Sequence, residues 1–145
     1  MKLLFNVAFV MLSAFLLTSC DNTNPQDPSQ QIVGFALYRG ETEVYRLYNG
    51  ELKVGGKLTV PLGQTSAVHN VYWITANEKI IAKIPSGWTL HLKSGNPTAI
   101  AVTPAGSWAF TITGNAVATV NLEIGILDGN QKAQFLHKTL TAEVK

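Results

Sequence analysis

From Ile32 onward, apolar and polar residues alternate with a period of two almost everywhere, and helical spacing never holds for long. The clearest run sets Ala118, Val120, Leu122, Ile124 and Ile126 against Thr119, Asn121, Glu123 and Gly125. Trp108, Phe110 and Ile112 alternate with Ala109, Thr111 and Thr113. Leu140, Ala142 and Val144 alternate with Thr139, Thr141 and Glu143, and Leu58, Val60 and Leu62 with Lys57, Thr59 and Pro61. Each pattern predicts an antiparallel strand with one buried and one solvated face. Shorter strands are predicted over 32–38, 43–48, 71–76, 79–84, 88–92 and 98–103. Turn residues such as Asn49-Gly50, Gly55-Gly56, Ser94-Gly95-Asn96-Pro97 and Asp128-Gly129-Asn130 separate them. Eight to ten short strands with regular turns predict an all-β two-sheet sandwich over 32–145. Pro61, which cannot donate to a ladder, predicts an edge or a bulge at its position.

The N-terminal segment follows another rule. Lys2 precedes a stretch from Leu3 to Leu17 that is apolar except for Asn6 and Ser13. A run of about 15 residues is too short to span a bilayer, where about 20 are needed, and fits a secretory signal over 1–19. It ends in Leu17-Thr18-Ser19-Cys20, and Cys20 is the single cysteine of the chain. This string resembles the lipobox of bacterial lipoproteins. The resemblance implies that Cys20 becomes linked to a diacylglycerol through a thioether and heads the mature chain. A thiolate is the side chain nucleophilic enough near neutral pH for that reaction. The alternatives are an ordinary secreted protein with a free thiol and an uncleaved signal anchor.

Residues 20–31 then form a polar tether. Asp21–Gln31 (DNTNPQDPSQQ) contains no apolar residue except two prolines and cannot bury surface. As a flexible coil it spans roughly 18 Å, which keeps the domain close to the membrane. Asp21 matches an inner-membrane retention signal that only some bacterial groups follow, so the choice of membrane stays open. With no second cysteine, the domain must be held by its hydrophobic core alone.

Without Lys2, ten Lys and Arg stand against nine Asp and Glu, a net charge of about +1 with no basic stripe. Nucleic-acid binding has no electrostatic footprint, and no polybasic segment points to added headgroup adhesion. The partners expected are the membrane, through the lipid on Cys20, and an envelope protein or glycan. No cofactor is expected.

The order of features after the tether resembles the immunoglobulin-like domains of bacterial envelope lipoproteins. Gly63-Gln64-Thr65 precedes an aromatic core strand, Val71-Tyr72-Trp73-Ile74, and a long strand and a closing strand end the domain. The chain departs from antibody domains in lacking a cysteine pair around the core tryptophan. The resemblance implies a binding or scaffolding module, and fold alone does not fix function.

Motifs for catalysis are weak. His69, His91 and His137 fall on separate strands with no ligand-like spacing, and all three are expected to face solvent. Ser66 and His69 lack a nucleophile elbow, and Glu41, Glu43 and Asp128 form no carboxylate pair suited to glycoside hydrolysis. The expectation is a protein that is not an enzyme. An enzyme or metal handler whose site forms only in three dimensions is the alternative.

The aromatics are the better lead. Trp108 belongs with the core series. Val71-Tyr72-Trp73-Ile74 is apolar on both faces, so Tyr72 or Trp73 must face away from the interior. Tyr38, Tyr45 and Tyr48 lie on early strands beside Arg39 and Arg46. Tyr45, Tyr48, Trp73 and Arg46 are therefore the candidate ligand-binding residues, since exposed rings with arginine suit protein or carbohydrate recognition. The alternative is that these rings cap the ends of the sandwich or cover a sheet edge.

Overall fold

The computed structural model describes residues 31–81 and 84–145. The expected leader, Cys20 and all of the tether but Gln31 lie outside them. Ten strands follow in order: β1 (Ile32–Arg39), β2 (Thr42–Tyr48), β3 (Glu51–Val54), β4 (Leu58–Val60), β5 (His69–Thr75), β6 (Thr89–Ser94), β7 (Ile100–Gly106), β8 (Ala109–Gly114), β9 (Ala118–Leu127) and β10 (Ala133–Val144). They form a six-stranded sheet, β3-β2-β1-β5-β8-β7, and a four-stranded sheet, β4-β10-β9-β6. The all-β two-sheet sandwich is thus as expected.

Its strand order is immunoglobulin-like. In chain order β5 to β10 take the places of strands B to G: β5-β8-β7 gives B-E-D and β10-β9-β6 gives G-F-C. The meander β1–β3 is added on the B side. One pair departs from the antiparallel expectation, because β4 runs parallel to β10, with Leu58 opposite Ala142 and Val60 opposite Val144. Pro61 follows at this edge, where the Leu62 amide donates to the Lys145 carbonyl at 3.1 Å. In such a ladder alternate amides face away from the partner, so the donor that proline lacks would have pointed off the sheet.

The core forms from the inward residues of both sheets. Phe35, Leu37, Leu47, Val71, Trp73, Phe110 and Ile112 meet Leu58, Val60, Val120, Leu122, Ile124, Ile126, Leu140, Ala142 and Val144, all buried. Burying each large side chain contributes roughly 1.5–3 kcal/mol, so a core of this size needs no disulfide. Trp108 differs from expectation. It precedes β8, is only half-buried, and meets Trp73 edge-on at 6.2 Å. The strand expected over 79–84 is also absent among its described residues. Ile80 makes a single bridge to Ile74, and the Ile81 amide donates to the Trp73 carbonyl.

Candidate functional site

The outer face of the six-stranded sheet is built from three cross-strand rows. Gly34 stands opposite Tyr48 on β2 and Ile74 on β5; Ala36 stands opposite Arg46 and Tyr72; Tyr38 stands opposite Glu43 and Asn70. Successive residues of a strand point to opposite faces, so these lie on the side away from Phe35, Leu37 and Trp73. The central strand therefore carries its two smallest residues between larger flanking ones, a trough in the backbone relief along β1 that the flanking side chains close over, leaving Gly34 and Ala36 buried. A β-bulge after Leu37 brings Glu43 onto this face, where its carboxylate meets Tyr38 and Arg46.

Polar bonds fix the walls. Arg46 Nε and Nη2 donate to the two Glu43 carboxylate oxygens at 2.5 and 2.8 Å, and the Tyr38 hydroxyl donates to the same carboxylate at 2.8 Å. Hydrogen bonding from Arg46 holds the Glu43 carboxyl below its ordinary range, and the bond to Glu43 pushes the Tyr38 phenol up. Tyr38 and Tyr72 meet edge to face at 5.1 Å, and Tyr72 is 42% exposed. The Tyr48 hydroxyl donates to the Ala76 carbonyl at 2.9 Å, beyond the end of β5. Because Tyr48 sits on β2 and Ala76 on the far side of β1, its ring lies across Gly34. A depression of about 340 Å³ opens here, lined by Arg46, Tyr48, Lys53, Ile74 and Glu78.

The four candidate ligand-binding residues are split by this arrangement. Tyr48 and Arg46 lie on the outer face as a binding surface requires. Tyr45 and Trp73 do not: they are 4% and 1% exposed, and both pack on Phe35, with ring centroids at 5.4 and 6.1 Å. The expected cluster of Tyr45, Tyr48, Trp73 and Arg46 is corrected accordingly. Strand alternation puts Tyr45 and Leu47 of β2 and Val71 and Trp73 of β5 inside, so of the adjacent pair Tyr72 and Trp73 it is Tyr72 that faces out. Tyr72 and Tyr38 replace the two buried rings.

The histidines also differ from expectation. His69 is fully buried, stacked on Phe110 at 5.1 Å, and its Nε2 accepts a bond from Arg39 Nε at 2.9 Å. Its alternation with Val71 and Trp73 was the available sign, hidden because the strand was expected to begin at residue 71. His91 is half-buried with Nε2 at 3.4 Å from the Glu123 carboxylate, and His137 is half-buried with its ring 5.8 Å from Phe35. Among the described residues no group of three His, Cys, Asp or Glu is placed to hold a metal ion.

The fold does bring Ser66 and His69 together, with Oγ 3.5 Å from Nδ1. The Ser66 hydroxyl, however, donates to the Ala67 carbonyl at 2.9 Å and accepts from the Ile112 amide at 3.0 Å. The third group is a cation. Burial, and then the Arg39 charge, pull the His69 pKa from 6.5 down to about 4. A general base works best with a pKa near the working pH and an anion behind it, and His69 has neither.

No protein-family model matches the chain, and no curated protein matches it. Among solved structures it is similar to domains 4 and 5 of the S-layer protein SbsC, at 16% sequence identity and a TM-score of 0.44. The superposition covers 77% of this chain and 65% of that one.

Proposed function

We propose that this chain is a lipid-anchored, non-catalytic module of the bacterial cell envelope that binds a glycan or protein through the outer face of its six-stranded sheet. The observation that carries the binding reading is the row of accessible side chains on this face, Tyr38, Arg46, Tyr48 and the 42%-exposed Tyr72, held in place by the Glu43 and Ala76 hydrogen bonds. Rings and a bidentate arginine are what recognition surfaces use, since they offer area and directional donors at low entropic cost. The reading as a non-enzyme is supported by the Ser66–His69–Arg39 arrangement, whose charges oppose base catalysis.

The anchor rests on Leu17-Thr18-Ser19-Cys20. Two or three acyl chains hold a protein on a membrane durably, whereas one is marginal. The Ala76 amide donates to the Gln31 carbonyl at 3.0 Å, so the chain enters the domain beside the Tyr48 end of the trough. A ligand there would be held near the membrane surface. Cys20→Ala should move the protein from the membrane to the soluble fraction, and retention in membranes would refute the anchor. Cross-linking in intact envelopes should capture a partner through the Tyr72 face, and recovery of only bulk lipid and abundant lipoproteins would count against specific binding.

A further inference from the structure

We infer that the depression at the Tyr48 end of the trough is a saccharide site, taking a neutral sugar with one ring stacked on Tyr48. The inference rests on the reading of this face as a binding surface and names its ligand. Tyr48 is a platform of fixed orientation. Its hydroxyl is tied to the Ala76 carbonyl at 2.9 Å, and Gly34, opposite it in register, has no side chain to lift the ring off the backbone. An aromatic laid over a strand glycine in this way covers it, and Gly34 is indeed buried. The half-buried Tyr48 also lines the depression.

A pyranose has an apolar face of C–H groups and a rim of hydroxyls, and the depression has the matching form. The half-buried Tyr48 ring supplies the apolar surface, since Ile74 is only 1% exposed, while Arg46, Lys53 and Glu78 supply donors and acceptors around it. Glu78 belongs to a tight turn in which its amide donates to the Thr75 carbonyl at 2.9 Å and the Thr75 amide donates to the Lys79 carbonyl at 2.9 Å. The turn fixes the backbone from which Glu78 projects, and its exposed carboxylate can accept from two neighbouring hydroxyls, a stronger bond than between neutral groups.

Charge decides against an anionic ligand. Arg46 is paired with Glu43 and Lys53 with Glu51, and Glu78 adds a further negative charge at the rim. The charged groups thus act as hydrogen-bonding groups without a net positive field, which suits a neutral polyol and disfavours phosphate or a uronic acid. A volume of about 340 Å³ lies at the small end of ligand sites and matches a short segment of a glycan rather than a long groove.

Saturation-transfer NMR on the mature lipidated protein in nanodiscs tests this directly, with tri-N-acetylchitotriose, cellotriose and maltotriose as neutral probes and trigalacturonate as the anionic one. At least one neutral trisaccharide should receive saturation on its ring C–H protons. Tyr48→Ala should abolish the signal and Tyr48→Phe should keep it. Glu78→Ala, at an exposed rim position, should weaken binding about tenfold, as expected for one charged hydrogen bond, with an unchanged melting curve. Silence from all three neutral sugars, a preference for trigalacturonate, or undiminished binding by both Tyr48→Ala and Glu78→Ala would overturn the assignment. Titration of detergent-solubilised Cys20→Ala keeps the anchor separate. Sugar binding by a variant that stays in membranes removes the anchor alone, and a released variant that binds no sugar removes the saccharide site alone.

Discussion

Arg39 Nε donates to Nε2 of the fully buried His69 at 2.9 Å, so a permanent cation is bonded to an imidazole that must stay neutral to accept. His69 is thereby a structural acceptor, closing the end of β1 onto the start of β5. Its pKa of about 4 in the folded chain, against 6.5 when free, makes stability depend on pH. The unfolded chain takes up a proton that the folded one refuses. Stability is therefore complete above about pH 7 and falls as the pH drops from about 6.5 to 4, by about 3 kcal/mol from this group. Urea unfolding at pH 7 and pH 5 should show the loss. His69→Gln, which keeps an acceptor for Arg39 but does not titrate, should flatten the slope, and an equal slope in that variant would place its origin elsewhere.

Gly34 tolerates no side chain. A Cβ there would lie 2.2 Å from the Leu47 carbonyl oxygen, a backbone atom with no rotamer to change. Gly34→Ala should cost about 2 kcal/mol or more, read from the denaturation midpoint, and should disturb Tyr48 in the neighbouring strand. Gly55 is a parallel case, with φ at +79° and a Cβ position 2.2 Å from the Val44 carbonyl oxygen, so Gly55→Ala should loosen β3 from β2.

Trp73 is the centre of the aromatic core, with Phe35, Trp108 and Phe135 rings at 6.1, 6.2 and 5.9 Å. Trp73→Ala should cost about 3–5 kcal/mol in guanidinium unfolding through the cavity it leaves. Its indole N–H is buried without a hydrogen-bond partner among the described residues. Trp73→Phe removes that donor as well as volume, so it should cost clearly less than the alanine variant.

The Glu43–Arg46 pair is bidentate yet partly solvated, with side chains 20% and 32% exposed. A double-mutant cycle with Glu43→Gln and Arg46→Met should give a coupling of about 1 kcal/mol or less, shrinking with added salt. A larger coupling would mean that the trough wall is more rigid than its exposure implies.

Much of this architecture is legible in the alternation of residues. β9 is visible from Ala118 to Ile126 because one of its faces is wholly apolar. β3 is not, because Glu51-Leu52-Lys53-Val54 is a four-residue edge strand exposed on every residue. The first half of β10 is hidden because its register shifts between His137 and Leu140, which breaks the period. The direction of β4 is equally hidden, since alternation says which face is buried and not which way a neighbour runs. At the site, Arg46 and Tyr48 were recoverable while Tyr45 and Trp73 were misplaced, because a one-residue change of face cannot be fixed where both faces are apolar. The trough itself depends on register, and only pairing sets Gly34 between Tyr48 and Ile74.

The strand β10 lies between β4 and β9, so the four-stranded sheet has a gap at its middle until Ala133–Val144 is in place. Leu58 must wait for Ala142, and β4 has no ladder partner linking it to β9 before then. Closure over such sequence distances is slow, because loop entropy is lost before the contacts are gained. A chain that emerges N-terminus first is therefore kept from locking into its final shape, and folding is timed to the arrival of β10.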